Sequence, residues 1–368
     1  MKPNTYHLLG VTMIFLLILT GMEAVTAAPY WVKPGVYIEY IAERYDPYIQ
    51  YLNGKGYVSN ISKATSVIFY EYNGTVFRIL TLNDTKIRFR VLEISNNLAT
   101  IGVRIELNNV SILTLVKKNT TPPKFWDVGT SDVIIEPPHD PSIPEDMVWY
   151  KIFTKRAVIT GVYKLRLNDS AVFDLNGKFY GHTGLWYQAT EDWNPSLPFI
   201  VEPGNVSYYI QKTGSWKRSF WTPYGTFGPP VGVLNLESKG GTIEVSIGRI
   251  FKIFERTVSP NSTSTVLFDP NSGIIIGHSP TEFTFPDLQA IGVIFGFFND
   301  QRGAYLNQVK RDYSTWSGLL LYGTNAEFQK VKEVKFESPS SQLKYVFMVS
   351  LGALALTGVK RIIGGKSR

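Results

Sequence analysis

Apolar and polar residues alternate in short runs along most of the chain, and turn residues separate the runs. Residues 67–70 and 76–80 are two such runs, and Asn73-Gly74 lies between them. An Asn-Gly pair in this position predicts a two-residue β-hairpin. Similar runs fill residues 35–115 and resume near residue 148, so we expect a mostly β fold of antiparallel sheets, either a sandwich or an open half-barrel.

Two further features refine this prediction. Residues 87–94 begin with strict alternation of apolar and basic positions, which places Arg88 and Arg90 on one solvated face of a strand. Residues 173–177 and 268–273 have similar turn sequences, and each is followed by a Gly-His pair. The irregular spacing leaves two interpretations open, an internal duplication or turn chemistry that antiparallel sheets commonly share.

Prolines and apolar segments suggest the domain boundaries. Six prolines fall within residues 122–146, which predicts a linker or a long rim loop. Residues 28–121 and 147–330 on either side are each a β-rich domain or one half of the ectodomain. One or two short helices are expected near residues 286–312, where the apolar run 292–298 is compatible with a buried helix or a buried strand.

The two ends of the chain predict its topology. Residues 1–27 combine a basic start, an apolar run and small residues, as a cleaved secretory signal peptide does; an uncleaved signal anchor is the alternative. Residues 331–343 are expected to form a polar stalk, and 344–363 are expected to be a transmembrane helix rather than a buried core helix. The tail, 364–368, is basic, which predicts a cytoplasmic C-terminus and a membrane-anchored chain with its bulk outside the cell.

Composition excludes several classes of function. The chain has no cysteine, which excludes disulfides, thiolate metal sites and a cysteine nucleophile. Four positive charges of the formal net charge of +7 lie in residues 360–368, so the predicted ectodomain is close to neutral. Nucleic-acid binding needs a concentrated basic face, and we therefore expect no nucleic-acid partner.

Acceptor sequences for N-glycosylation are frequent, and they agree with an extracellular location. Chance predicts about three matches to the Asn-x-Ser/Thr pattern at this content of serine and threonine. The chain has eight, at Asn60, Asn73, Asn83, Asn109, Asn119, Asn168, Asn205 and Asn261. We expect a glycosylated exterior.

Candidate catalytic chemistry is sparse. Neither a Gly-x-Ser-x-Gly nucleophile motif nor a glycine-rich phosphate loop occurs, and no cofactor is predicted. His139, His182 and His278 are the histidines that follow the signal peptide, and three imidazoles can bind zinc with an open position for hydrolysis. The alternative is that these residues form hydrogen bonds at the ends of strands.

The most distinctive segment is residues 186–227, with eleven aromatic residues interrupted by glycine and proline. Aromatic side chains on loops bind sugars or peptides, and the alternative is that they belong to the core. The predicted ligand-binding residues are Trp193, Trp216 and Trp221, with Arg218 as a polar clamp.

Three segments carry a resemblance to a known group of proteins. They are Ala28-Pro29-Tyr30-Trp31-Val32-Lys33-Pro34-Gly35, Phe179-Tyr180-Gly181-His182-Thr183 and Asp269-Pro270-Asn271-Ser272-Gly273-Ile274-Ile275-Ile276-Gly277. With them the chain resembles secreted, membrane-anchored surface proteins of hyperthermophilic archaea. The resemblance implies no activity. The strand and turn pattern also resembles the open half-barrels of lipoprotein carriers at the level of the fold.

Three functional hypotheses follow. The first is a non-enzymatic, glycosylated surface protein that binds a glycan, a peptide or a partner in the envelope. The second is a carrier that encloses an apolar ligand in a curved sheet, and the third is a metal-dependent hydrolase that uses the three histidines.

Overall fold

The computed structural model describes residues 28–187, 197–278 and 283–327. Its strands are β1 Tyr37–Ala42, β2 Ser66–Tyr72, β3 Thr75–Thr81, β4 Thr85–Ser95, β5 Leu98–Lys117, β6 Asp132–Glu136, β7 Met147–Arg166, β8 Ala171–Phe173, β9 Phe179–His182, β10 Ile200–Val201, β11 Ser207–Trp216, β12 Phe220–Thr222, β13 Gly225–Phe227, β14 Val231–Ser238, β15 Gly241–Ile247, β16 Phe251–Val258, β17 Thr263–Phe268, β18 Ile275–His278, β19 Val293–Phe298 and β20 Leu320–Thr324. Its α-helices are α1 Asp46–Gly54, α2 Asn60–Lys63, α3 Pro286–Gln289 and α4 Gln301–Gln308. The prediction of a mostly β, antiparallel fold is confirmed.

The predicted hairpin at Asn73-Gly74 is β2 and β3. The two strands pair antiparallel from Ser66 opposite Thr81 to Tyr72 opposite Thr75. Asn73 has φ +48° and Gly74 has φ +73°, the two positive values that a type I′ turn requires. On β4 the exposed positions include Arg88 and Arg90, as the alternation predicted.

Most strands belong to one sheet that closes on itself. β5 pairs with β4 on one side and with β7 on the other. From β4 the order continues through β1, β20, β18, β17, β14, β11, β10, β9 and β8 and returns to β7, which gives a barrel-like ring of 12 strands. The closed ring differs from the sandwich and the open half-barrel that the sequence predicted. The antiparallel pairing of β1 with β20 is the contact that closes it.

The long strands β5 and β7 join the two segments that the prolines separate. They pair from Leu98 opposite Arg166 to Lys117 opposite Met147. Residues 28–121 and 147–330 therefore contribute strands to the same sheet. The proline-rich segment between them includes β6, an edge strand that pairs with β7.

The interior of the ring is filled by the segment around α3. Phe285 packs against Tyr40 of β1 and His278 of β18, with ring centroids 6.2 and 4.4 Å apart. Asp287, also fully buried, accepts hydrogen bonds from the Tyr163 hydroxyl of β7 and from the backbone N–H of Gly184. The segment around α3 therefore contacts strands on different sides of the ring.

The region predicted to hold a helix contains two, α3 and α4. The apolar run between them is the strand β19, which pairs with β2. The helices α1 and α2 were not predicted, because nine and four residues carry too little periodicity to separate them from turns.

Several predicted segments lie outside the residues that the structure describes. They are the signal peptide 1–27, the stalk 331–343, the transmembrane helix 344–363 and the tail 364–368. Within residues 28–187, 197–278 and 283–327, no helix has the length and apolar character needed to cross a membrane.

Candidate functional site

A group of half-buried tryptophans and exposed arginines forms the candidate site, which we call the aromatic–arginine surface. It is defined as Trp216, Arg218, Trp221, Arg302 and Trp316. Trp216 ends β11, and Trp221 lies in the short hairpin of β12 and β13. Arg302 belongs to α4, and Trp316 lies in the loop between α4 and β20.

The hairpin of β12 and β13 is fixed to the rest of the fold at several points. The backbone N–H of Trp221 donates to the carbonyl oxygen of Ser314 at 2.7 Å. Phe220, next to it, is fully buried in the core. The Trp316 ring packs edge-on against Trp216 at 5.5 Å and against Phe220 at 5.8 Å. A surface held in this way presents its side chains in one defined arrangement.

Two of the half-buried tryptophan rings each carry an arginine. The guanidinium of Arg218 lies 4.5 Å from the ring centre of Trp216, and that of Arg302 lies 4.7 Å from the ring centre of Trp221. Both distances fit a cation–π contact. Among the described residues, neither guanidinium has a carboxylate within ion-pair distance. The rings orient the two guanidinium groups, and the N–H groups of both arginines stay available to bind a ligand.

Positive charge predominates in the segments that form this surface. Lys217, Lys310 and Arg311 are exposed residues of these segments, and Asp312 is an exposed acid in the same segments. Hydrogen bonds from Ser314 lower the pKa of Asp312, and the positive charge of Arg218 adds to that effect. The surface therefore favours an anionic group.

The structure brings together part of the predicted ligand site. Trp216 and Trp221 are half-buried, so they are neither free rings nor full members of the core. Trp193 lies outside the described residues. Trp316 and Arg302 were missed, because they lie about 80 to 100 residues further along the chain than the tryptophans they contact and no local pattern connects them to the aromatic segment.

The structure does not assemble the predicted metal site of three histidines. His182, in the core, donates from Nδ1 to the backbone carbonyl of Asp169 at 2.7 Å, and burial lowers the pKa of this histidine. His278 is buried against Phe285, and His139 is exposed in the proline-rich segment. Across the described residues, no group of three histidine, aspartate or glutamate side chains could hold a metal ion. The three histidines therefore do not form the set of metal ligands that the hydrolase hypothesis requires.

The sequon asparagines share one property. All eight are exposed, whereas four of the other ten asparagines that the structure describes are half-buried. Asn73, Asn205 and Asn261 have positive φ in tight turns that an oligosaccharide can reach, and Asn109 has positive φ within β5. No sequon falls in residues 207–260 or 264–327, which supply the aromatic–arginine surface.

The arrangement can bind an anion by two oriented guanidinium groups next to aromatic surface. Arginine forms paired hydrogen bonds with carboxylates and related oxyanions, and a ring beneath it reduces the conformational freedom lost on binding. No protein-family model, curated protein or solved structure matches this chain.

Proposed function

We propose that this chain is a non-enzymatic, glycosylated cell-surface protein that binds an acidic glycan through the aromatic–arginine surface. In this proposal a C-terminal helix anchors the chain in the cell membrane, with the bulk outside and the tail in the cytoplasm. The observation that carries the binding function is the pair of arginines stacked on half-buried tryptophans without an ion-pair partner among the described residues.

An acidic glycan fits this surface better than a neutral one. Stacked guanidinium groups cover ring faces that a neutral sugar would otherwise contact, and their N–H groups suit carboxylate or sulfate oxygens. Three further exposed cations, Lys217, Lys310 and Arg311, favour a ligand that carries several negative charges. The exposed sequon asparagines and the predicted membrane anchor support a location where such glycans occur.

The test measures binding of the purified chain to polygalacturonic acid and chondroitin sulfate, with dextran as the neutral comparison. We expect binding to the acidic polymers that weakens as salt is raised. The double variant R218A/R302A removes both stacked cations and should lower affinity by about tenfold or more, since hydrogen bonds to charged groups contribute about 1.5–3 kcal/mol each.

Arg90→Ala is the matched control, because it removes an exposed arginine from the solvated face of β4. It should bind as the unmodified chain does. An equal loss in R90A and R218A/R302A would indicate unspecific charge attraction, and absence of binding to both acidic polymers would refute the proposed ligand class.

A further inference from the structure

The fold contains an open cleft of about 330 Å³ whose lining shares no residue with the aromatic–arginine surface. One wall comes from β9 and the residues that follow β10, including Tyr180 and Glu202. The other wall runs from the end of α3 into β19 and includes Gln289 and Ile294. The volume lies at the small end of the range of about 300–1,000 Å³ typical of small-molecule sites, so the cleft suits a ligand of about one ring.

The carboxyl group of Glu202 is the unusual feature of this cleft. Its residue is only 3% exposed. Oε1 accepts a hydrogen bond from the backbone N–H of Thr284 at 2.7 Å. Oε2 has no hydrogen-bond partner among the described residues. Buried polar atoms are nearly always satisfied, so an exception beside a cleft marks a group that a water or a ligand completes.

Burial also changes the protonation of this acid. It raises the pKa of Glu202 to about 7, although the backbone N–H of Thr284, the positive charge of Arg256 and the side chain of Thr284 act in the opposite direction. Near neutral pH the carboxyl of Glu202 exists both protonated and ionised. Water solvates it poorly in both forms because it is buried, and Oε2 of the ionised form is a hydrogen-bond acceptor.

The charges around the cleft balance. Glu71 and Lys178 are exposed lining residues of opposite sign, and Arg256 offsets Glu202. A charged ligand would meet attraction and repulsion together, whereas a neutral ligand with hydroxyl groups would meet acceptors and donors. The half-buried side chains of Val201 and Ile294 add apolar surface, as sugar-binding sites require beside their polar groups.

We propose that this cleft binds one neutral sugar ring, with Oε2 of Glu202 accepting a hydrogen bond from a sugar hydroxyl. Val201 and Ile294 contact the apolar part of the sugar, and Lys178 and Glu71 border it at the rim. This site is independent of the acidic glycan proposed above, because it shares no residue with the aromatic–arginine surface.

The experiment is saturation-transfer-difference NMR of the full chain with four methyl glycosides, those of glucose, galactose, mannose and N-acetylglucosamine. Each is used at about 10 mM, which detects a dissociation constant near 1 mM. We expect saturation transfer to at least one of them. The variant E202Q replaces the accepting Oε2 by an amide donor at the same volume, and it should weaken that binding by about tenfold or more.

Asp300→Asn is the matched control, since Asp300 is a buried acid whose pKa is also raised to about 7 but which does not line the cleft. Binding that persists in D300N and in R218A/R302A supports a separate site at Glu202. Saturation transfer to none of the glycosides, or equal binding by E202Q, overturns the proposal. If E202Q does not fold, Lys178→Trp fills the cleft from an exposed position, and unchanged binding in that variant likewise overturns it.

Discussion

Replacing Glu202 by glutamine should alter how the stability of the fold depends on pH. The folded-state pKa of Glu202 is raised by burial from an ordinary value of 4.5 to about 7. Between these values the folded chain keeps a proton that the unfolded chain releases. The free energy of unfolding therefore falls as pH rises through this window and is level above it.

The magnitude follows from the two pKa values. Each pKa unit corresponds to about 1.4 kcal/mol, so ionisation of Glu202 removes about 3 kcal/mol of stability between pH 4.5 and about 7. Glutamine does not ionise. The stability of E202Q relative to the unmodified chain should thus increase by about 3 kcal/mol from about pH 4 to about pH 8. Burial also raises the pKa values of Asp287 and Asp300. Their contribution to the pH dependence is the same in E202Q and in the unmodified chain, so it cancels in the difference.

The assay is urea unfolding followed by tryptophan fluorescence at about pH 4, 6 and 8. Glu145→Gln, at an exposed position of the proline-rich segment, is the control and should change stability by less than about 0.5 kcal/mol at each pH. A difference between E202Q and the unmodified chain that stays constant within about 0.5 kcal/mol across this range would refute the reasoning.

Three further outcomes are expected. Gly204→Ala should lower the free energy of unfolding by about 3 kcal/mol or more in urea titrations, because Gly204 has φ +71° and a Cβ there would collide with the carbonyl of Thr242. Gly177→Ala, with φ +85° and open space, should lose only about 1 kcal/mol, and equal losses would contradict the steric argument. Leu288→Ala, fully buried inside the ring, should lose about 2–5 kcal/mol while the exposed Leu175→Ala stays near zero; an empty ring interior would make both small. Glycopeptide mapping of the chain from a glycosylating host should find occupied sequons, and bare asparagines at all eight would contradict the expected glycosylation.

The local pattern predicted the strands well where it was strong. The turn at Asn73-Gly74 needs two positive φ angles, which few other residue pairs tolerate. The alternation around Arg88 reflects a strand with one buried and one solvated face. Both signals depend on neighbours in sequence, and both were confirmed.

Closure of the ring and the candidate site depend on distant residues, and the sequence did not reveal them. The pairing of β1 with β20 joins residues almost 290 positions apart, and no turn motif encodes it. Trp316 and Arg302 reach Trp216 and Trp221 in the same way. The Glu202 cleft was also missed, because a single glutamate before a proline is indistinguishable from an ordinary loop acid until its burial is known.

Pairing between the first and the last strand of the ring sets an order for biosynthesis. While the chain is being made, β1 and β18 each have an edge without its β20 partner until residues 320–324 emerge. Free strand edges recruit other chains, and contacts this distant in sequence form slowly. We therefore expect nascent or C-terminally truncated chains that end before residue 320 to need a chaperone or to aggregate. Chains that extend past residue 324 can pair β20 with β1 and β18 and so close the ring within one molecule.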